Sequence, residues 1–156
     1  MLRAPKPRSE QAIPNRILRS LEPEVYERLL PHFELVRFPL GRVVHEPGQP
    51  LDHVYFPNQG VLSMLTVLEN GNVVEIATIG NEGMADLSVF LGLEVSSSRL
   101  LCQVPGESLR MKTEIFLDLV ERNPGLRIRP GIAVRRLQSI ASHRRALRAL
   151  DPHDPR

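Results

Sequence analysis

The chain has 156 residues, 42% of them hydrophobic, and its 20 Lys+Arg nearly balance 18 Asp+Glu. That size supports one packed domain plus an appendage. Trp is absent, so large aromatic anchors for stacked bases or a partner groove are scarce. The single cysteine, Cys102, excludes an internal disulfide, and no apolar run approaches the roughly 20 residues of a membrane span. The cytoplasm is the expected compartment. Charge is uneven: Met1 to Glu121 carries 11 Lys+Arg against 16 Asp+Glu, and Arg122 to Arg156 carries 9 against 2. An acidic body therefore precedes a basic tail whose cations are all arginine.

In chain order, residues 1–12 alternate Arg3, Lys6 and Arg8 with Pro5 and Pro7 and have no apolar segment behind them. They read as a frayed tail and not a signal peptide. Pro14 and Pro23 each suit the first turn of a helix, with Ile17, Leu18 and Leu21, then Val25, Leu29 and Leu30, as short apolar faces. Phe33 to Phe38 alternates as a half-buried strand. From Phe38 to Gly60 (FPLGRVVHEPGQPLDHVYFPNQG), short β-type runs at Val43 to His45 and Val54 to Phe56 are punctuated by Pro39-Leu40-Gly41, Glu46-Pro47-Gly48 and Pro57-Asn58-Gln59-Gly60. Each of these pairs a fixed φ with a permissive glycine. Asn70-Gly71 between Val61 to Leu68 and Val73 to Ile79 predicts a hairpin. Gly80-Asn81-Glu82-Gly83 leads into a helical-looking Met84 to Leu91. Arg99 to Val104 and Ser108 to Met111, divided by Pro105-Gly106, predict a further strand pair. Thr113 caps a helix that buries Leu117, Leu119 and Val120.

This wording, continued through VLSMLTVLENGNVVEIATIGNEGMADLSVFLG, resembles the effector-sensing β-roll of Crp/Fnr-type bacterial transcription regulators, which are similar to the cyclic-nucleotide-binding domains. The resemblance covers about Asn15 to Asn123. It implies a mainly β fold, a jelly-roll-like double-stranded β-helix with short flanking α-helices over 13–123, and a regulatory rather than enzymatic role. In the family, a Gly-Glu meets the cyclic phosphate and ribose, and an Arg-Ser/Thr-Ala holds the phosphate. The matching places here are Ala85-Asp86 and Ser98-Arg99-Leu100. Alanine adds a Cβ where backbone must approach the ligand, aspartate is a methylene short, and the arginine is displaced by one residue. Cyclic AMP is thereby disfavoured, no cofactor is expected, and the effector is a small molecule that the resemblance does not name. The candidate effector or phosphate site is Gly80, Gly83, Ala85, Asp86, Ser98 and Arg99, in which glycines free backbone N–H groups and Arg99, the only Lys or Arg between Val43 and Leu109, supplies charge. The bland alternative makes Arg99 a solvent-facing loop residue and the glycines turn makers.

Other constellations carry less. His45 and His53, beside Glu46 and Asp52, invite a metal reading of the cupin type, but the spacing lacks a His-x-His with a following glutamate. They are expected to be solvated strand or turn histidines, and a small cupin-like metalloenzyme stands as the rival function. Cys102 is expected to be a small core residue, and the cysteine count rules out an iron–sulfur sensor of the Fnr kind. After Asn123, a dimer helix is interrupted by Gly125, Pro130 and Gly131, and the rest of 124–156 is too short for a winged helix-turn-helix. The expectation is a sensory module without its own DNA reader, a weak or absent homodimer, and no sequence-specific DNA binding. Any nucleic-acid contact would be weak, salt-sensitive and carried by Arg135, Arg136, Arg144, Arg145 and Arg148. The chain is alternatively a stand-alone interaction module that uses this basic tail, or a truncated remnant of a longer regulator.

Overall fold

The computed structural model describes residues 13–123. Helix α1 (Arg16–Arg19) starts two residues after Pro14. Its N-cap is Asn15, whose Oδ1 accepts from the backbone N–H groups of Ile17 and Leu18. The Asn15 amide, fully buried, donates to the Pro57 and Gly83 carbonyls at 2.8 and 2.9 Å. One side chain thus caps a helix and ties it to two loops of the roll. Helix α2 (Pro23–Leu29) does begin on its proline, and a 3₁₀ turn (Leu30–His32) carries the chain into the sheets.

Among the described residues seven strands follow: β1 (Glu34–Phe38), β2 (Val43–His45), β3 (His53–Pro57), β4 (Val61–Val67), β5 (Val73–Ile79), β6 (Arg99–Val104) and β7 (Gly106–Lys112). They form two antiparallel sheets, ordered β1-β7-β3 and β2-β6-β4-β5. The jelly-roll-like, mainly β expectation holds, and so does the Asn70-Gly71 hairpin between β4 and β5. The expected pairing of the last two strands does not. β6 joins β4 and β2, while β7 joins β1 and β3. Pro105-Gly106 carries the chain from one sheet to the other, and it passes so close to Gln59-Gly60 that a Cβ on Gly106 would overlap the Gln59 backbone. Two sheet-crossing corners, Gly60 and Gly106, lie back to back.

The first sheet separates two cores. Its outer face (Val54, Phe56, Leu109 and Met111) packs against the helices, with Leu18, Leu29 and Phe116 among the residues that close that cluster. Phe56 stacks edge-on with Phe33 and Phe116 at centroid distances of 5.6 and 5.8 Å, pairs that each add about 0.5–1.5 kcal/mol beyond area burial. Its inner face meets the second sheet through Tyr55, Leu62, Ile79, Ala85, Leu100 and Cys102. Cys102 is 1% exposed, the core role expected of it.

Helix α3 (Thr113–Arg122) closes the described chain. Its apolar side buries Phe116 and Val120, while Leu117 and Leu119 are only partly covered. Thr113 is not a side-chain cap: its hydroxyl donates instead to the Leu51 carbonyl at 2.5 Å. The segment read as helical, Met84 to Leu91, forms a 3₁₀ turn over Leu87–Leu91 alone. Asp86 explains the late start, because its φ of 67° is left-handed and breaks the helical path. The 1–12 and 124–156 tails, with Arg135, Arg136, Arg144, Arg145 and Arg148, lie outside the described residues.

Candidate functional site

The loop from Gly80 to Leu91 is pinned at its start by backbone. Arg16 N donates to Asn81 O at 2.7 Å, Gly83 N to Gly80 O at 3.1 Å, and Ala85 N to Tyr55 O at 2.8 Å. Gly80 and Gly83 have ordinary negative-side backbone and form a turn, with Gly80 N donating to the Glu82 carboxylate. They do not open a long helix whose N-terminus could cradle phosphate. Ala85 is 1% exposed and part of the inter-sheet core.

Asp86 is 2% exposed, and its Oδ1 lies 2.7 Å from His45 Nε2. His45 is itself only 6% exposed, which corrects the expectation of a solvated histidine. The cause is a β-bulge between Val43 and His45 in the pairing of β2 with β6. Bulges re-aim side chains, and this one leaves Val44 packed on the inter-sheet core while His45 turns to Asp86. His45 Nδ1 and Asp86 Oδ2 are buried and have no partner among the described residues.

Arg99 goes the other way. Leu100 and Cys102 of β6 belong to the inter-sheet core, so strand alternation puts Arg99 and Leu101 on the outer face of that sheet. There Arg99 Nε meets Glu46 Oε2 at 2.8 Å, with both side chains part-exposed. Ser98 is buried but closed on its neighbour: the Ser96 hydroxyl donates to Ser98 O at 2.6 Å, and Ser98 N donates back to that hydroxyl at 3.2 Å. The six candidate residues are therefore near one another in sequence, yet their two charged groups do not converge on one pocket. Asp86 is turned inward to His45, and Arg99 is turned outward to Glu46.

The cation on the inner face is one that the sequence reading stopped one residue short of. Arg110 of β7 lies opposite Glu34 of β1 and Tyr55 of β3 in register. Its Nη2 bonds Glu34 Oε2 at 2.8 Å, and its guanidinium sits beside the Tyr55 hydroxyl. The signal was available: Leu109 and Met111 form one apolar face, so Arg110 between them must point to the other. Burial raises the Tyr55 hydroxyl above its ordinary value, with the Asp86 carboxylate adding to the rise. Burial, then Arg110, hold His53 below its ordinary 6.5. Both groups are therefore neutral near pH 7.

A cleft of about 210 Å³ is lined by Val44, His45, Leu51, Asp52, His53 and Tyr55 among others. It is smaller than the roughly 300–1,000 Å³ of typical small-molecule sites. Among the described residues no three His, Cys, Asp or Glu side chains group as metal ligands. No helix there is long and apolar enough to cross a membrane.

Two antiparallel sheets rolled together, with helices packed on one face, define a jelly-roll-like β-roll. The model of the cyclic nucleotide-binding domain matches residues 35–123, more than half of the chain, and the chain belongs to that family. Solved structures share the fold of Crp/Fnr-type regulators. The c-di-GMP-responsive global regulator CLP of Xanthomonas campestris is 16% identical, with a TM-score of 0.68, covering 83% of this chain and 66% of its own. The catabolite activator protein of Thermus thermophilus is 20% identical with a TM-score of 0.68, over 82% of this chain and 61% of that one. The sensor domain of the transcriptional regulator DNR from Pseudomonas aeruginosa is 18% identical with a TM-score of 0.62, covering 86% and 85%. The chain thus spans less than two thirds of the length of the first two. No curated protein sequence matches it significantly.

Proposed function

We propose that this chain is the effector-sensing module of a Crp/Fnr-like transcription regulator, acting by binding and not by catalysis, and that its effector is not a cyclic nucleotide. The observation that carries the second part is the divergence of the two charged groups at the cassette positions. A cyclic nucleotide needs a carboxylate on its ribose and a cation on its phosphate, both facing one pocket. Asp86 is held by His45 on the inside, and Arg99 by Glu46 on the outside. Ala85, packed in the core, further closes the backbone approach. Freeing Asp86 would break a buried, hydrogen-bonded pair, a cost of about 3–5 kcal/mol that a ligand would have to offset.

Calorimetric titration of the full chain with cyclic AMP and cyclic GMP tests the reading. No binding tighter than millimolar is expected. Micromolar binding of either would overturn it. In that case Arg99→Ala identifies the phosphate ligand, because loss of binding would bring Arg99 back into the site.

A further inference from the structure

We propose that the cleft between β2 and β3 is the effector site of this roll and that it takes a small, uncharged, hydrogen-bonding molecule, such as a flat heteroaromatic amide, in preference to an anion. The proposal rests on the sensing role inferred above and adds the place and the chemical class.

Charge is the first argument. The cations near the cleft are Arg110, which is held by Glu34 at 2.8 Å, and the exposed Lys112 at the end of β7. Against them stand Asp52 on the exposed rim and Asp86 behind the wall, the latter shared with His45. Among the described residues no cation lines the cleft, and the formal charge on its wall outside the His45 pair is the Asp52 carboxylate. An entering phosphate or carboxylate would lose its hydration and meet that carboxylate without a free counter-charge.

Hydrogen-bonding capacity is the second. His53 and Tyr55 are neutral near pH 7 and can each donate and accept. Their rings lie 6.3 Å apart and tilted by 44°, an apolar and polar surface together. Val44 and Leu51 add a small apolar area to a lining that is otherwise mostly polar. The cleft holds about 210 Å³ and is open to solvent on one side, a shallow seat that suits a small molecule.

A matched pair of probes separates charge from shape: nicotinamide and its carboxylate analogue nicotinate. A ligand of about nine heavy atoms binds in the millimolar range at ordinary efficiency, so each is titrated to about 20 mM and followed through the His53 and Tyr55 side-chain resonances of the full chain. The expected result is saturable shifts with nicotinamide, about tenfold weaker binding of nicotinate, and a weakening of nicotinamide by about tenfold in His53→Ala. His53 is half-buried and at the cleft mouth, so retention of the dispersed amide spectrum verifies that the variant folds. Equal or tighter binding of nicotinate overturns the class. Absence of shifts with both probes, or unchanged nicotinamide affinity in folded His53→Ala, overturns the site. Micromolar cyclic AMP binding by the wild type would instead overturn the reading on which the proposal rests.

Discussion

A carboxylate buried as completely as Asp86 persists only with a partner, and His45 is that partner. Removing the imidazole strands the acid, so His45→Ala should cost about 3 kcal/mol or more in urea unfolding. Asp86→Asn should cost less, because asparagine tolerates left-handed backbone and can still bond the ring. If the two variants lose the same stability, the bond is not what holds the loop. His53 gives a second residue-scale expectation, read in pH. Its folded pKa is lowered, chiefly by burial. The folded chain therefore resists a proton that the unfolded chain accepts near 6.5, and the His53 contribution is intact above that pH and lost as pH falls towards the lowered value. Stability curves of the wild type and His53→Gln should run parallel above about pH 6.5, and the wild type should lose stability relative to the variant as pH falls from there towards the lowered value. Cys102 follows the same physics in the other sense: burial raises its thiol, so a thiol reagent at pH 7 should label it only when the chain unfolds.

At the scale of elements, what could be read in the sequence was local. β2 lies at Val43 to His45 as expected, and the Asn70-Gly71 hairpin closes β4 onto β5, because turn chemistry and a period of two are written in neighbouring residues. Strand partnership is not. β6 and β7 are consecutive and joined by a tight Pro105-Gly106, and nothing in those residues says that the corner changes sheets. The Gly106 contact with Gln59 decides it, across 47 positions of chain. The His45–Asp86 bond was likewise hidden, since a one-residue bulge in β2 redirects a side chain that simple alternation would misplace. Two glycine substitutions separate these kinds of information. Gly71 has a φ of 82° and open space around it, so Gly71→Ala should cost about 1 kcal/mol in backbone strain alone. Gly106→Ala forces backbone against backbone and should lower the thermal midpoint by far more, or leave no folded protein; equal effects in parallel melts would show that the close approach is not tight.

For the whole molecule, family and architecture agree: a cyclic nucleotide-binding domain whose roll has two sheets, two cores and a polar mouth. The order of the strands has a consequence for how such a chain comes to be. Among the described strands, β1 and β3 pair only with β7, the last of them in sequence, and β2 enters its sheet only through β6. Contacts of such long sequence separation are paid for in loop closure before they are formed, which slows folding. A chain ended after Val104 should therefore lack the first sheet altogether and give a circular dichroism spectrum without cooperative melting; a cooperative transition would mean that β4, β5 and β6 form an independent unit. On the ribosome, β1 and β3 are expected to wait unpaired until Lys112 has left the exit tunnel, while the β4–β5 hairpin can already form. The first sheet is then expected to close in one step, when β7 slots between β1 and β3.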